Sequence, residues 1–489
     1  MASFGLLNTT VLLVYLLGMI LIGIRFARRQ QSAEDYFLAG RNMPWLPVGM
    51  SMFASLTSAI TFMGLPARAY EENMALLVVC IVSPLLVPIL VFVLYPAYRR
   101  HGVTTSYEFI GLRYGAAGRT AVSSLFILAR LGWMGTVIYA PALALSVATG
   151  IPLHVTILLM GGMATLYTVL GGLAAVLWTD VVQFVILVAG AIWVAFSLIS
   201  QSPGGIAGIL DTARAAGHLH VVGWRFNLVE MSGLAVAVSF FLQMMQDYGT
   251  DQVTVQRMLA IKKPQGVAKA AIFNACTDVV MVALLLFIGL GLFAYYQHNP
   301  QLAPTGSADG VLPHYIMSTL PPGISGLLIS AIFAAAMSSM DSGINSLATV
   351  IEHDFIKQFR RQTRTEQHDV FQARILTLGL GVLATALAFG ISGMGNIIES
   401  FAMFMGLFNA PVLALFVLGF VSKHTRFRAW AVSVVAAIAG TLILKNKIEV
   451  HWVYYVPFSF SVSFSVTWIL SALTELYCRQ RERRHDHID

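Results

Sequence analysis

Charge is what this sequence has least of. Of its 489 residues only 11% are Asp, Glu, Lys or Arg, while 57% are hydrophobic. Soluble domains carry roughly 25% charged residues, so the chain cannot coat itself with a solvated surface, and most of its exterior must face lipid. Cysteine is scarce as well. Cys80, Cys276 and Cys478 stand far apart, in or beside apolar stretches, which gives neither a disulfide framework nor a metal-ligand spacing. Also missing are a Walker A loop, an HExxH helix, a G-x-S-x-G turn and any clustered His/Cys set. ATP hydrolysis, zinc proteolysis and serine-hydrolase chemistry therefore have no visible machinery, and no nucleophile, base and oxyanion constellation can be assembled. The chain reads as a non-enzyme. The net charge of +7 lies in short clusters between apolar runs and not along a stripe, which excludes a nucleic-acid surface and fits topology determinants.

What is present is apolar sequence in the lengths a bilayer requires, about 20 residues each. Such stretches recur at 6–27, 45–70, 74–97, 120–149, 152–172, 174–200, 232–250, 267–297, 322–352, 372–392, 396–421, 428–446 and 453–477. They predict an all-α, multi-pass membrane protein of thirteen helices, one transport domain over 1–489 with a short cytoplasmic tail at 478–489. If the N-terminus lies outside, the inward-facing segments hold 24 of the 30 Lys and Arg residues, Arg257, Lys262 and Lys263 among them. That asymmetry predicts N-terminus outside and C-terminus inside. The first stretch has no basic leader or small-residue cleavage site and is followed by Arg28-Arg29, so it reads as a retained span.

Polar groups inside such spans are costly, about 2.5–3.5 kcal/mol for a mid-helix Asp, and mark function by default. Three clusters stand out. Ser51 to Thr61 carries five hydroxyls in eleven residues, followed by Gly64 and Pro66. A helix broken there would free carbonyls for a cation and amides for a substrate; a small-residue packing face is the competing reading. In the stretch from Ala334 to Ser346, Ser338, Asp341 and Ser342 sit at i, i+3 and i+4 and share a helix face, with Ser339 about 100° away. Hydroxyls and one carboxylate suit a hard cation, against an Asp merely hydrogen-bonded to serines. Asp180 follows the Gly171-Gly172 pair a short way into an apolar helix. It needs a partner, either a cation or a basic side chain such as Arg130.

At these clusters the chain resembles the sodium:solute symporter family. The resemblance runs through Asp35-Tyr36-Phe37-Leu38-Ala39-Gly40-Arg41, Tyr139 to Leu145, Trp178-Thr179-Asp180-Val181-Val182-Gln183, Thr250 to Arg257 and Ser338 to Ser346, in order and over nearly the whole chain. It implies the leucine-transporter fold: an extra N-terminal helix at 6–27, five-helix repeats of inverted topology at 45–200 and 232–421, and two further helices at 428–477. The broken helices would be 45–70 and 232–250, and the sites would lie at the midplane.

By position, the family's main sodium site falls on the carbonyls of Ala54, Thr57 and Ala335 and the hydroxyls of Ser338 and Ser339. A second sodium site, found in some relatives, falls on Asp180, Ser338, Asp341 and Ser342; some relatives have serine at the Asp341 position, so the extra carboxylate changes the charge balance. The solute pocket falls on Leu56, Ser58, Thr61, Cys80, Trp133, Gln243 and Gln246. Sialic-acid symporters have an arginine where Trp133 stands. The segments around Arg41 and Pro141 look closer to the branch that carries monocarboxylates, vitamins and small anions. The resemblance therefore implies a plasma-membrane symporter that couples one or two Na+ ions to import of a small solute, a small carboxylate or organic anion by preference. The alternatives are a sugar, sialic-acid or sugar-acid symporter. Channels, uncoupled facilitators and membrane sensors are the rival classes. The implied partners are the solute, sodium ions and membrane lipids, with no nucleic acid and no obligate protein.

Overall fold

Among the residues described by the computed structural model, namely 4–27, 30–221, 223, 228, 232–304, 308–359, 365–390, 405–448 and 450–485, the regular elements are helices, apart from one isolated bridge between Met43 and Ile261. Apart from short connecting helices such as Ala33–Leu38, Gly205–Ala215 and Val311–Thr319, they are in chain order α1 (Leu6–Ala27), α2 (Trp45–Leu56), α3 (Ala59–Glu71), α4 (Ala75–His101), α5 (Ser106–Thr149), α6 (Leu153–Gln201) and α7 (Gly233–Gly249). There follow α8 (Gln252–Ala260), α9 (Pro264–His298), α10 (Ile324–Lys357), α11 (Glu366–Gly390), α12 (Gly406–Val421), α13 (Phe427–Lys447) and α14 (Trp452–Arg479). Nine of the described helices are long and apolar enough to cross a membrane, or ten if α2 and α3 count as one bent span. The start of the expected span at 396–421 lies outside the described residues.

α6 carries two of the expected spans. At about 1.5 Å per residue its 49 residues would measure about 73 Å, far more than a hydrocarbon core of about 30 Å. Gly172 breaks it with φ 56° and ψ −156°. α1 serves as a ruler for what happens there. Tyr167 packs on Gly23, Gly171 packs between Gly23 and Phe26, and Gln183 then donates back to the Tyr15 hydroxyl at 3.3 Å. The chain climbs to Gly172 and returns, as the boundary between 152–172 and 174–200 predicts. Only glycine suits this reversal, because a Cβ would meet the Tyr36 carbonyl at 2.5 Å as well as sit at positive φ.

The two expected broken helices differ in where they break. α2 and α3 meet at a 61° bend over Thr57 and Ser58, upstream of Gly64 and Pro66, which lie inside α3. The expected break within 232–250 is not there. α7 is continuous through Gly249, and the interruption falls at Thr250–Asp251, where Asp251 turns extended and caps α8 by accepting from Val253 N at 2.8 Å. Aspartate at that position starts a new helix more readily than it continues an old one.

α10 is the axis of the protein: 89% of its apolar window is enclosed, against 28% for α1 and α14. Its first turn is capped from α1, where the buried Asn8 accepts from Gly323 N at 2.6 Å and Gly326 N at 3.0 Å. That use of the side chain buries Asn8, the first residue of an Asn-Thr-Thr sequon whose Thr9 and Thr10 stay exposed.

Candidate ion and solute site

Two helices with small polar faces meet where α2 unwinds. The Ser338 hydroxyl on α10 donates to the Ala54 carbonyl at 2.7 Å and lies 3.2 Å from the Ala335 carbonyl. Ser339 donates to the Ser55 carbonyl at 2.9 Å. Thr57, with ψ 83°, stands at the break itself. Of the five expected sodium ligands, Ala54, Ala335 and Ser338 are thus brought directly together. Ser339 reaches α2 at Ser55, two residues short of Thr57. The donor set is all oxygen, drawn from carbonyls and hydroxyls, and suits a hard monovalent cation.

Beside it lies a fully buried charge cluster. Asp180 Oδ2 accepts from Ser51 Oγ at 2.5 Å and Ser55 Oγ at 3.2 Å, and pairs with Arg257 Nη2 at 3.1 Å. Asp180 Oδ1 is buried with no hydrogen-bond partner. The Ser342 hydroxyl lies between the carboxylates. It accepts from Arg257, and sits 2.9 Å from Ser55 Oγ and 3.1 Å from Asp341 Oδ1. Tyr167 donates to the other oxygen of Asp341. Asp180, Asp341, Ser338 and Ser342 therefore do form one cluster, with Arg257 added to it.

Arg257 corrects two expectations. It is no cytoplasmic topology residue, since it is 1% exposed between α2, α6, α8 and α10. It is also the basic partner of Asp180, a role for which Arg130 was the candidate. Arg130 instead pairs with Asp251 at the second break. No local signal marks Arg257, and the glutamines of the stretch before it are likewise spent on tertiary bonds. Gln252 Oε1 accepts from Ser106 N at 2.9 Å, and Gln256 donates to the Phe37 carbonyl and to Asn345 Oδ1.

The expected solute positions fall in three groups. Leu56, Ser58 and Thr61 sit at the first break, where Ser58 caps α3 by accepting from Thr61 N at 3.4 Å. Trp133 and Gln246 meet around the second: the Arg130 guanidinium lies 4.6 Å from the Trp133 ring centre, and Gln246 donates to Asp251 at 3.3 Å while its own Oε1 is buried and unpartnered. Gln243 is one turn earlier on the same face of α7. Cys80 faces α9, with its thiol 3.5 Å from the Val279 carbonyl. Sequence reasoning missed the carboxylate next to it. Asp278 lies within the apolar run at 267–297, and Oδ2 accepts from Ser83 at 3.1 Å, Tyr248 at 2.5 Å and Asn274 at 3.1 Å.

Comparison with known proteins finds a matching family and full-length relatives. The sodium:solute symporter family profile matches residues 36–440. The chain is 30% identical to the sodium/sialic acid symporter SiaT of Proteus mirabilis, over 93% of this chain and 92% of that one. It is 32% identical to the sodium/sialic acid symporter NanT of Aliivibrio fischeri, over 93% and 90%. It is 29% identical to human sodium-coupled monocarboxylate transporter 2, over 93% of this chain and 73% of that one. Among solved structures it resembles a substrate-bound, outward-open Na+-coupled sialic acid symporter, with a TM-score of 0.91 and 28% identity over 96% and 98% of the two chains. The nucleobase-cation-symport-1 transporter Mhp1, at TM-score 0.54 and 15% identity, shares the fold.

Proposed function

We propose that this chain, which belongs to the sodium:solute symporter family, imports a small organic acid by alternating access around the α2–α3 break. It is a sodium-coupled symporter and an integral protein of the plasma membrane. One observation carries the site assignment: the Ser338 hydroxyl bridges the Ala54 and Ala335 carbonyls at the point where α2 loses its helix. Sodium entering there takes Ala54, Thr57, Ala335, Ser338 and Ser339 as ligands and ties α10 to the broken helix. Solute then occupies the space bounded by Leu56, Ser58, Thr61, Cys80, Trp133, Gln243 and Gln246.

A second ion belongs at Asp180, Ser338, Asp341 and Ser342. Two buried carboxylates lie there beside one guanidinium, which pairs with Asp180, while Asp341 is met only by the Tyr167 and Ser342 hydroxyls among the described residues; a buried carboxylate without a countercharge is costly, and a cation supplies what is missing. In Asp341→Ala the sodium stoichiometry is expected to fall from two towards one. Each charge crossing 100 mV contributes about 2.3 kcal/mol, so two sodium ions with a monovalent anion retain one such increment.

The acid reading draws on relatives named for sialic acid and for monocarboxylates. Arg130 is engaged by Asp251, so the carboxylate is held by the amides at the start of α3 and by sodium. Arg41, Arg99 and Lys357 outnumber Glu34 and Glu366 in the lining of a cavity of about 730 Å³ beside the short helix Ala33–Leu38, a suitable cytoplasmic exit for an anion. The thirteen-helix topology, N-terminus outside, and the inverted repeats at 45–200 and 232–421 complete the reading; helices broken at the head of each repeat support it. No catalytic role is assigned.

The test is thermal unfolding of purified protein in Na+, K+ and choline. Sodium-specific stabilisation that disappears in Ser338→Ala and Ser339→Ala is expected. Equal stabilisation by potassium would sink the proposal.

A further inference from the structure

An acceptor-rich spot stands on α9, and its height relative to the first break can be read off the packing of that helix. Ala270 on α9 lies against Gly49 on α2, and Gly289 lies against Pro66 on α3. The two lines of chain therefore run in the same direction. Eight residues beyond Ala270, about 12 Å along α9, comes Asp278; eight residues beyond Gly49, about 12 Å along α2, comes Thr57. Asp278 thus stands level with the break that exposes backbone to solute.

Its surroundings hold unused acceptors. Ser83, Tyr248 and Asn274 all donate to Oδ2. Oδ1 accepts from none of the described residues, and the side chain keeps 8% exposure inside the bundle. One turn earlier, Asn274 Oδ1 is buried with no partner, on a residue only 3% exposed. Cys80 on α4 faces the next residue along α9, its thiol 3.5 Å from the Val279 carbonyl. An idle buried acceptor in a membrane interior, as Asn274 Oδ1 is, has a price of several kcal/mol unless a donor arrives.

We infer that Asp278, with Asn274 beside it, forms a subsite for a hydrogen-bond donor on the solute, so that the transported acid carries a hydroxyl or ammonium group in addition to its carboxylate. This rests on the symporter reading of the pocket and narrows it: plain short-chain monocarboxylates are poor substrates, and hydroxy acids, amino acids or sugar acids are the class that fits. The carboxylate sits at the start of α3 beside sodium, and the donor points across to α9.

The probes are propionate, lactate and alanine, which share three carbons and differ at C2 in hydrogen, hydroxyl and ammonium, together with N-acetylneuraminate. Each is titrated into the full-length protein in sodium and in potassium, with thermal stability as the readout. At least one of the three donor-bearing probes is expected to stabilise the sodium form at concentrations at least tenfold below propionate. Asp278→Asn should abolish that preference while keeping the sodium-specific shift. Where Asp278→Asn does not fold, the wild-type carboxylate is kept and Cys80 is made the only thiol by Cys276→Ser and Cys478→Ser; alkylation of Cys80 should then be slowed by the donor-bearing probe and not by propionate. Equal action of propionate, no response to any donor-bearing probe in a protein that still responds to sodium, or an unchanged preference in Asp278→Asn overturns the subsite. A wild type with no sodium-specific shift overturns the symporter reading of the site, and the subsite with it.

Discussion

Two helix breaks lie at the candidate site, Thr57–Ser58 and Thr250–Asp251, and the protein treats them in opposite ways. At Thr57–Ser58 the chain offers hydroxyls and bare backbone, and the bond holding α2 to α10 is a serine hydroxyl on a carbonyl. At Thr250–Asp251 the backbone ends and the charges are tied, and only the side-chain oxygens of Gln246 and Thr254 stay without a partner among the described residues. Tyr95 and Tyr98 donate to the carbonyls of Tyr248 and Gly249 at 2.7 Å, Asp251 caps α8, and Arg130 pairs with Asp251 against the Trp133 face. A break secured by its own side chains does not depend on a ligand, whereas one left with unspent oxygens does. This is the physical reason for assigning ion binding to the first break and a supporting wall to the second.

The largest test of that contrast removes the tie at the second break. Asp251→Ala leaves Arg130 buried and unpaired, and should cost about 3–5 kcal/mol of unfolding free energy. The paired change Arg130→Met/Asp251→Leu should recover most of the loss, less about 1 kcal/mol for the α8 cap, and should keep the sodium response. Chemical denaturation in detergent measures both. A sodium response lost in the double variant would place the ion at the wrong break.

At the first break the effect should appear in ion affinity more than in fold stability. Ser338→Ala is expected to weaken sodium at least tenfold, about 1.4 kcal/mol. In sodium-free buffer it should cost only the ordinary net value of one hydrogen bond, about 1 kcal/mol. If the sodium-free loss is the larger of the two, Ser338 is a packing residue and the contrast collapses.

How far the sequence revealed this contrast differs between the two ends. Hydroxyls packed into an apolar run are conspicuous, so Ser51–Thr61 and Ser338–Ser342 stand out before any fold is known, and Gly171-Gly172 marks a reversal that the backbone bears out. The second break is hidden because its residues look ordinary locally. Arg257 reads as one more basic residue beside Lys262 and Lys263, and only tertiary packing shows it buried against Asp180. Likewise, which arginine answers which aspartate is a question of helix adjacency, and spacing along the chain carries no information about it. Asp278 was legible in principle, as a lone carboxylate within a predicted span, but nothing local connects it to a pocket.

A third prediction returns to the tied break. Tyr98→Phe removes one hydroxyl from the Gly249 carbonyl and should lower stability by about 1 kcal/mol, equally with and without sodium. A loss that appears only in sodium would mean that the end of α7 moves with the ion, and the wall would then be part of the gate.

The smallest expected effect is the most discriminating. Ser58 caps α3 through a long bond, 3.4 Å to Thr61 N, so Ser58→Ala should cost only about 0.5 kcal/mol, the low end for a lost cap. A side chain whose sole task is capping would then leave uptake intact. Ser58 instead stands at the break, beside the amides assigned to the solute carboxylate, so the apparent affinity for solute should fall severalfold while sodium-specific stabilisation persists. Initial-rate uptake in proteoliposomes at saturating sodium separates the two cases. Unchanged uptake would move the solute away from the start of α3 and leave the first break as an ion site alone.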